Sequence, residues 1–176
     1  MIMSTVIKCE LSAKSIEKAR QELKDYQKSL NDKLRDFFSA LLETGRLEAE
    51  NRLQSTLGDS VEGIIVTEPI QNNGDSITAI ITLMGKDALF IEFGSGIAYN
   101  TGMQHPKASE YGYGPGTYPS KTPPNKAINP GYWYYREEGN DKAVRSIGTQ
   151  ASMPIYYASE AMRNNAVQKA VEIFRS

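Results

Sequence analysis

Residues 12 to 57 carry an apolar seam that a helix alone keeps on one side, because Ile16, Ala19, Leu23, Tyr26 and Leu30 recur at alternating steps of three and four. The seam runs on through Leu34, Phe37, Phe38, Leu41 and Leu42, and Ser12 stands where an N-cap belongs. Opposite charges sit three or four residues apart on the other faces, as in Lys18 with Glu22 and Lys28 with Asp32. Gly45 is the one expected weak point. Thirty residues of such a helix measure about 45 Å at 1.5 Å per residue, more than a sheet in a chain of 176 residues can cover. Part of the seam therefore either covers its own sheet loosely or meets another subunit, and the residues leave both open.

After residue 60 the period changes from 3.6 to 2. Val61 to Thr67, Ser76 to Met84 and Ala88 to Phe93 are rich in Ile, Val, Thr and Phe and read as strands. Asn72-Asn73-Gly74-Asp75 and Gly85-Lys86-Asp87 supply the turns of an antiparallel meander. Residues 61 to 99 hold five acids against Lys86 alone, so one side of the sheet is expected to be acidic.

From Gly94 to Pro130, 37 residues show no sustained periodicity and hold six of the eight prolines. Loops above about 15 residues are uncommon in compact domains unless they serve a function. Seven of the ten tyrosines lie between Tyr99 and Tyr135, which suits a contact surface better than a linker. Residues 97 to 130 are expected to order only against partners. Gly131 to Arg136 reads as an aromatic strand, with Trp133 expected on its inner side against the last helix and Tyr132 and Tyr134 on the other side. Ser152 and Pro154 open that helix, whose stripe of Ile155, Met162, Ala166, Ala170 and Ile173, with Val167, Val171 and Phe174 beside it, is expected to cover the core.

Composition removes most chemistry. One histidine and one cysteine cannot assemble a His and Cys zinc site, and Cys9 has no internal disulfide partner. No Gly-x-Ser-x-Gly turn, Gly-x-Gly-x-x-Gly or Gly-Lys-Ser/Thr sequence occurs. His105, before Pro106, reads as a solvated loop histidine, and Glu137-Glu138 as a wet surface. A net charge of -1 argues against nucleic-acid binding over the whole surface. No apolar run exceeds four residues, so no membrane contact is expected, and the N-terminus lacks the basic-then-apolar order of a secretory signal. No cofactor, metal or catalytic residue is expected.

Two short pieces carry a resemblance: Phe90-Ile91-Glu92-Phe93-Gly94-Ser95-Gly96, and Met153-Pro154-Ile155-Tyr156-Tyr157-Ala158 opening the terminal helix. In this order, behind a long first helix, they make the chain resemble the phage neck family, the tail-completion or head-tail joining virion proteins. The resemblance spans nearly all of residues 1 to 176 as one domain, with 94 to 130 as an extended assembly loop longer than in other members. It implies an α+β fold: long N-terminal helix, antiparallel meander, Tyr/Gly/Pro loop, aromatic strand, and C-terminal helix packed on the sheet. It also implies a non-catalytic protein that forms a ring with itself, commonly a hexamer, at the head-proximal end of a phage tail or tail-like particle assembled in the bacterial cytoplasm. The expected neighbours are tail tube or tail terminator proteins and, where a capsid exists, head connector or stopper proteins, with DNA passing through the ring without specific recognition.

The expected assembly surface comprises Glu92, Phe93, Gly94, Ser95, Gly96, Tyr111, Tyr113, Tyr118, Lys121, Lys126, Tyr132 and Tyr134. Its charge logic is a net -4 over 61 to 99 facing a net +2 over 100 to 150 of the next subunit. Physically, Glu92 is expected to end a strand, with Gly94 and Gly96 making a sharp corner. Two other classes use clustered tyrosines: a carbohydrate- or other ligand-binding module, and a single-strand nucleic-acid binder steering phosphates with Lys107, Lys121, Lys126, Arg136, Lys142 and Arg145.

Overall fold

The computed structural model describes residues 7–55, 62–73, 76–94, 104–111, 133–136, 139, 141–146 and 150–175. They form an α+β arrangement of two long antiparallel helices, a short helix and small antiparallel strands.

Helix α1 spans Ala13–Gln54 and is capped as its sequence predicts, the Ser15 N–H donating to Ser12 Oγ at 3.3 Å. Gly45 does not break it. The glycine is buried, and a Cβ there would lie 2.7 Å from Ile81 Cδ1 and 2.9 Å from Met162 Sδ. Its missing side chain is what lets three elements meet. Arg46 bridges to Glu43 and Glu50 on the same helix, each at 2.6 Å, local pairs of the kind that support an exposed face.

Strands β1 (Ile64–Thr67) and β4 (Ile81–Met84) pair antiparallel, Ile64 opposite Met84 and Thr67 opposite Ile81. Farther out, β2 (Gln71–Asn72) pairs with β3 (Ile77–Thr78), and the Asn73 N–H closes the turn on the Ser76 carbonyl at 3.0 Å. The expected single strand over 76 to 84 is thus two pieces. Pro69, with no N–H to give to the ladder, stands in the gap of the facing strand.

The third strand of the expected meander does not exist. Residues Ala88–Phe93 are helix α2, begun after Asp87 and ended by Gly94 at φ +74. A short apolar run satisfies either period, and here the helical one wins because it turns Ile91 and Glu92 inward together. The sharp corner is therefore a helix end, although Gly94 does adopt the positive φ expected of it; Gly96 lies outside the described residues.

Trp133–Arg136 forms β5 and pairs antiparallel with β6 (Ala143–Ser146), Trp133 opposite Ser146 and Arg136 opposite Ala143. The expected placement of the Trp133 side chain lies outside what is described.

Helix α3 spans Pro154–Arg175. Tyr157 meets Arg52, Met162 meets Gly45 and the Phe174 ring lies 6.1 Å from that of Phe37, so α3 runs antiparallel to α1 and ends at the level of Phe37. It lies chiefly along α1 and meets the hairpin at β4, so the expected packing on a sheet is the lesser part of its contact. The expected stripe of Ile155, Met162, Ala166, Ala170 and Ile173 is half-buried along the whole helix, while Val167, beside it, is 76% exposed.

The core is small and sits where the C-terminal end of α1, the hairpin, α2 and the start of α3 converge. Ala49, Leu53, Ile91, Ala108, Met153 and Ala158 are its buried apolar side chains. The backbone of Gly63 leaves room there for Ile91, Leu83 and Leu53 to approach together.

Candidate functional site

Helix α3 begins with a deficit. Pro154 supplies no N–H, but Ile155 and Tyr156 do, while Met153 before it offers no side-chain acceptor and the first turn contains no acid. A helix end of this kind needs an acceptor from elsewhere. Glu92 supplies it: the Ile155 N–H donates to Oε2 and the Tyr156 N–H to Oε1, each at 2.9 Å. A carboxylate at this end also meets the positive pole of the helix dipole.

The chain is fitted to this contact on both sides. Ser152 donates its N–H at 2.9 Å and its hydroxyl at 3.3 Å to the Ile91 carbonyl. Met153 takes φ +54, a left-handed conformation costly for a residue with a Cβ, and is buried as it does so. These contacts hold the helix start against Glu92 across more than sixty residues of sequence.

His105 completes the site. It is 8% exposed, as is Glu92, so the expectation of a solvated loop histidine is overturned. The Lys107 N–H donates to Nδ1 at 3.0 Å, which leaves the ring proton on Nε2, 3.3 Å from Glu92 Oε1. Its burial follows from the partners around it: Phe93 lies edge-on at 4.5 Å and Tyr156 at 5.3 Å between ring centroids. Tyr111 extends the row on the Phe93 side at 5.6 Å, and Tyr157 on the other at 5.3 Å. The row ends under Arg52 of α1, whose guanidinium carbon stands 3.7 Å from the Tyr157 ring centroid.

Residues 104 to 111 are thereby seated, with Ala108 also buried, and the expectation that the whole of 97 to 130 waits for a partner does not hold for them. Of the expected assembly surface, the structure brings together Glu92, Phe93, Gly94 and Tyr111. Glu92 is an internal tie and not a surface group. Tyr134 is 60% exposed on β5. Ser95, Gly96, Tyr113, Tyr118, Lys121, Lys126 and Tyr132 lie outside the described residues.

The expected acidic face is also reduced. One of its five acids is the buried Glu92, and Glu62 is paired with Lys86 at 3.3 Å. Sequence reasoning passed over His105, Tyr156, Tyr157 and Arg52 as members of the site; the available signal was a proline-led helix with no acceptor of its own.

Chemically, both oxygens of Glu92 and both ring nitrogens of His105 are engaged within the protein. The arrangement fixes one helix start and one loop segment to each other. Among the described residues no group of three or more His, Cys, Asp or Glu side chains is placed to hold a metal ion, and no helix is long and apolar enough to cross a membrane. No protein-family model matches the chain, and neither a curated protein nor a solved structure matches it.

Proposed function

We propose that the protein is a non-catalytic structural virion component that forms a ring, a hexamer, at the head-proximal end of a phage tail or phage-tail-like particle. The observation that carries this reading is the Glu92 tie. The two short pieces of sequence by which the chain resembles the neck family, one around Glu92 and one opening α3, are two halves of a single contact. Their occurrence together then has a physical reason, since the helix-start N–H groups of one take their acceptor from the carboxylate of the other.

In this reading the aromatic loop and the exposed Tyr134 edge face tail tube or terminator proteins, and a connector or stopper where a capsid is present. DNA passes through the ring without being read, and neither cofactor nor membrane takes part. Negative-stain class averages of the purified protein, and of particles assembled with and without it, test the proposal. Rings, and a missing layer at the head-proximal end of particles lacking the protein, are the expected result. Normal particles in its absence, with mass measurements showing only monomers in the presence of tail proteins, would overturn it.

A further inference from the structure

Helix α3 covers α1 only from Phe37 onward. The 24 residues from Ala13 to Asp36 run on for roughly 36 Å at 1.5 Å per residue. Along this stretch Ile16, Leu23, Tyr26 and Leu30 are between 38% and 57% exposed and, with Cys9 and Ala19, line a shallow apolar groove. Among the described residues nothing covers it.

The spacing says what kind of surface fits. Ile16, Leu23, Leu30 and Phe37 recur every seven residues, with Ala19, Tyr26 and Lys33 between them. A strict seven-residue repeat drifts around a lone straight helix and stays in line only against another helix winding with it. Phe37, the last member, already meets such a helix in α3.

We infer that the occupant is a second copy of α1, packed antiparallel, seam to seam, over residues 16 to 33. Two observations fix the direction. In a parallel pair the second α1 would run, beyond Phe37, into the place α3 occupies, and Lys33 would face Lys33. In an antiparallel pair the incoming helix has the polarity of α3 and continues its line from the point where α3 stops. Leu23 then faces Tyr26 of the second copy, the small Ala19 faces Leu30, and Lys33 falls at the end beside Ile16, where its stem lies on apolar surface and its charge reaches water. Beside the seam, Arg20 meets Gln27 and Glu22 meets Ser29, so no like charges are opposed. The contact is isologous and closes at two copies.

This inference concerns the free subunit and does not depend on the ring. Sedimentation of the full-length reduced protein over a wide concentration range tests it. A monomer-dimer equilibrium is expected, weakened about tenfold or more by Leu23→Asp and by Leu30→Asp, with unchanged circular dichroism in the region covered by α3. Both side chains are exposed in the single chain, so the variants fold. Direction is read from an equimolar mixture of a Cys9→Ser, Ala19→Cys chain and a Cys9→Ser, Leu30→Cys chain, which is expected to oxidise to the mixed covalent dimer and to neither homodimer. Monomers at every concentration, or association insensitive to both Asp variants, would overturn the inference. Rapid oxidation of the natural chain through Cys9 would overturn its direction. Rings that form from a natural chain found only as monomers when free would leave the proposed function standing while this pairing fails.

Discussion

Glu92 shows how much a single buried side chain organises in this protein. Glu92→Ala leaves two helix-end N–H groups and the His105 Nε2 proton without their acceptor, and a buried orphan costs about 1 to 3 kcal/mol. A loss of about 2 to 4 kcal/mol in urea unfolding is expected, with Glu92→Gln keeping part of it because one oxygen acceptor remains. A double-mutant cycle with His105→Ala should give a coupling of about 0.5 to 3 kcal/mol, the range for residues in one hydrogen-bond network. An additive result would show that His105 is held by its aromatic neighbours and the Lys107 N–H without help from Glu92. Gly45 makes the opposite argument, from an atom that is missing. Gly45→Ala gains about 1 kcal/mol of helix propensity but drives a methyl against Ile81 and Met162, whose side-chain ends turn aside at some cost. Gly45→Val adds two further methyls to the same gap and is expected to lose about 2 to 3 kcal/mol by the same measurement.

At the scale of elements, α1 is one helix with two different lives: from Phe37 onward it is packed under α3 and the hairpin, while none of residues 13 to 32 is buried. A chain beginning at residue 31 is therefore expected to keep its melting temperature, in dilute solution, within about 2 to 4 °C, the size of a 1 kcal/mol change. A drop of 10 °C or more would mean that the projecting half supports the fold. Helices α1 and α3 were legible in the sequence nearly to the residue, because their periodicity is long and Ser12 and Pro154 mark their starts. The seam said nothing of where its cover ends, which depends on the length of α3. Residues 88 to 93 went wrong for a different reason: six residues are too few to separate the two periods, and the inward turn of Glu92 that decides for helix depends on a partner sixty residues away. Strand β6 was hidden because Ala143-Val144-Arg145-Ser146 has a single strong strand former. His105 was misread because its burial comes from two aromatic rings, Phe93 and Tyr156, that only the fold brings together.

Across the whole molecule, the charge contrast proposed to guide ring closure is smaller than composition suggests, since Glu92 is internal and Glu62 is already paired. Lys121→Glu or Lys126→Glu is accordingly expected to slow assembly by no more than about tenfold at low salt, with the difference vanishing at high salt and the melting temperature unchanged. Stopped-flow light scattering of assembly at two ionic strengths checks it; loss of the folded state in either variant would refute it. The tie between residues 91–92 and 152–156 has one more consequence. The fold itself holds the two ends of the intervening chain together, with residues 104–111 seated against them, so insertions are expected to be carried beyond residue 111. Doubling the length of a flexible loop costs only about 0.6 kcal/mol once its ends are held together, less than the tie is expected to contribute. Foreign segments spliced in between residues 112 and 130 should thus be carried at little thermodynamic expense, and the same frame can be refitted for different neighbours by exchanging what it carries rather than by altering the frame.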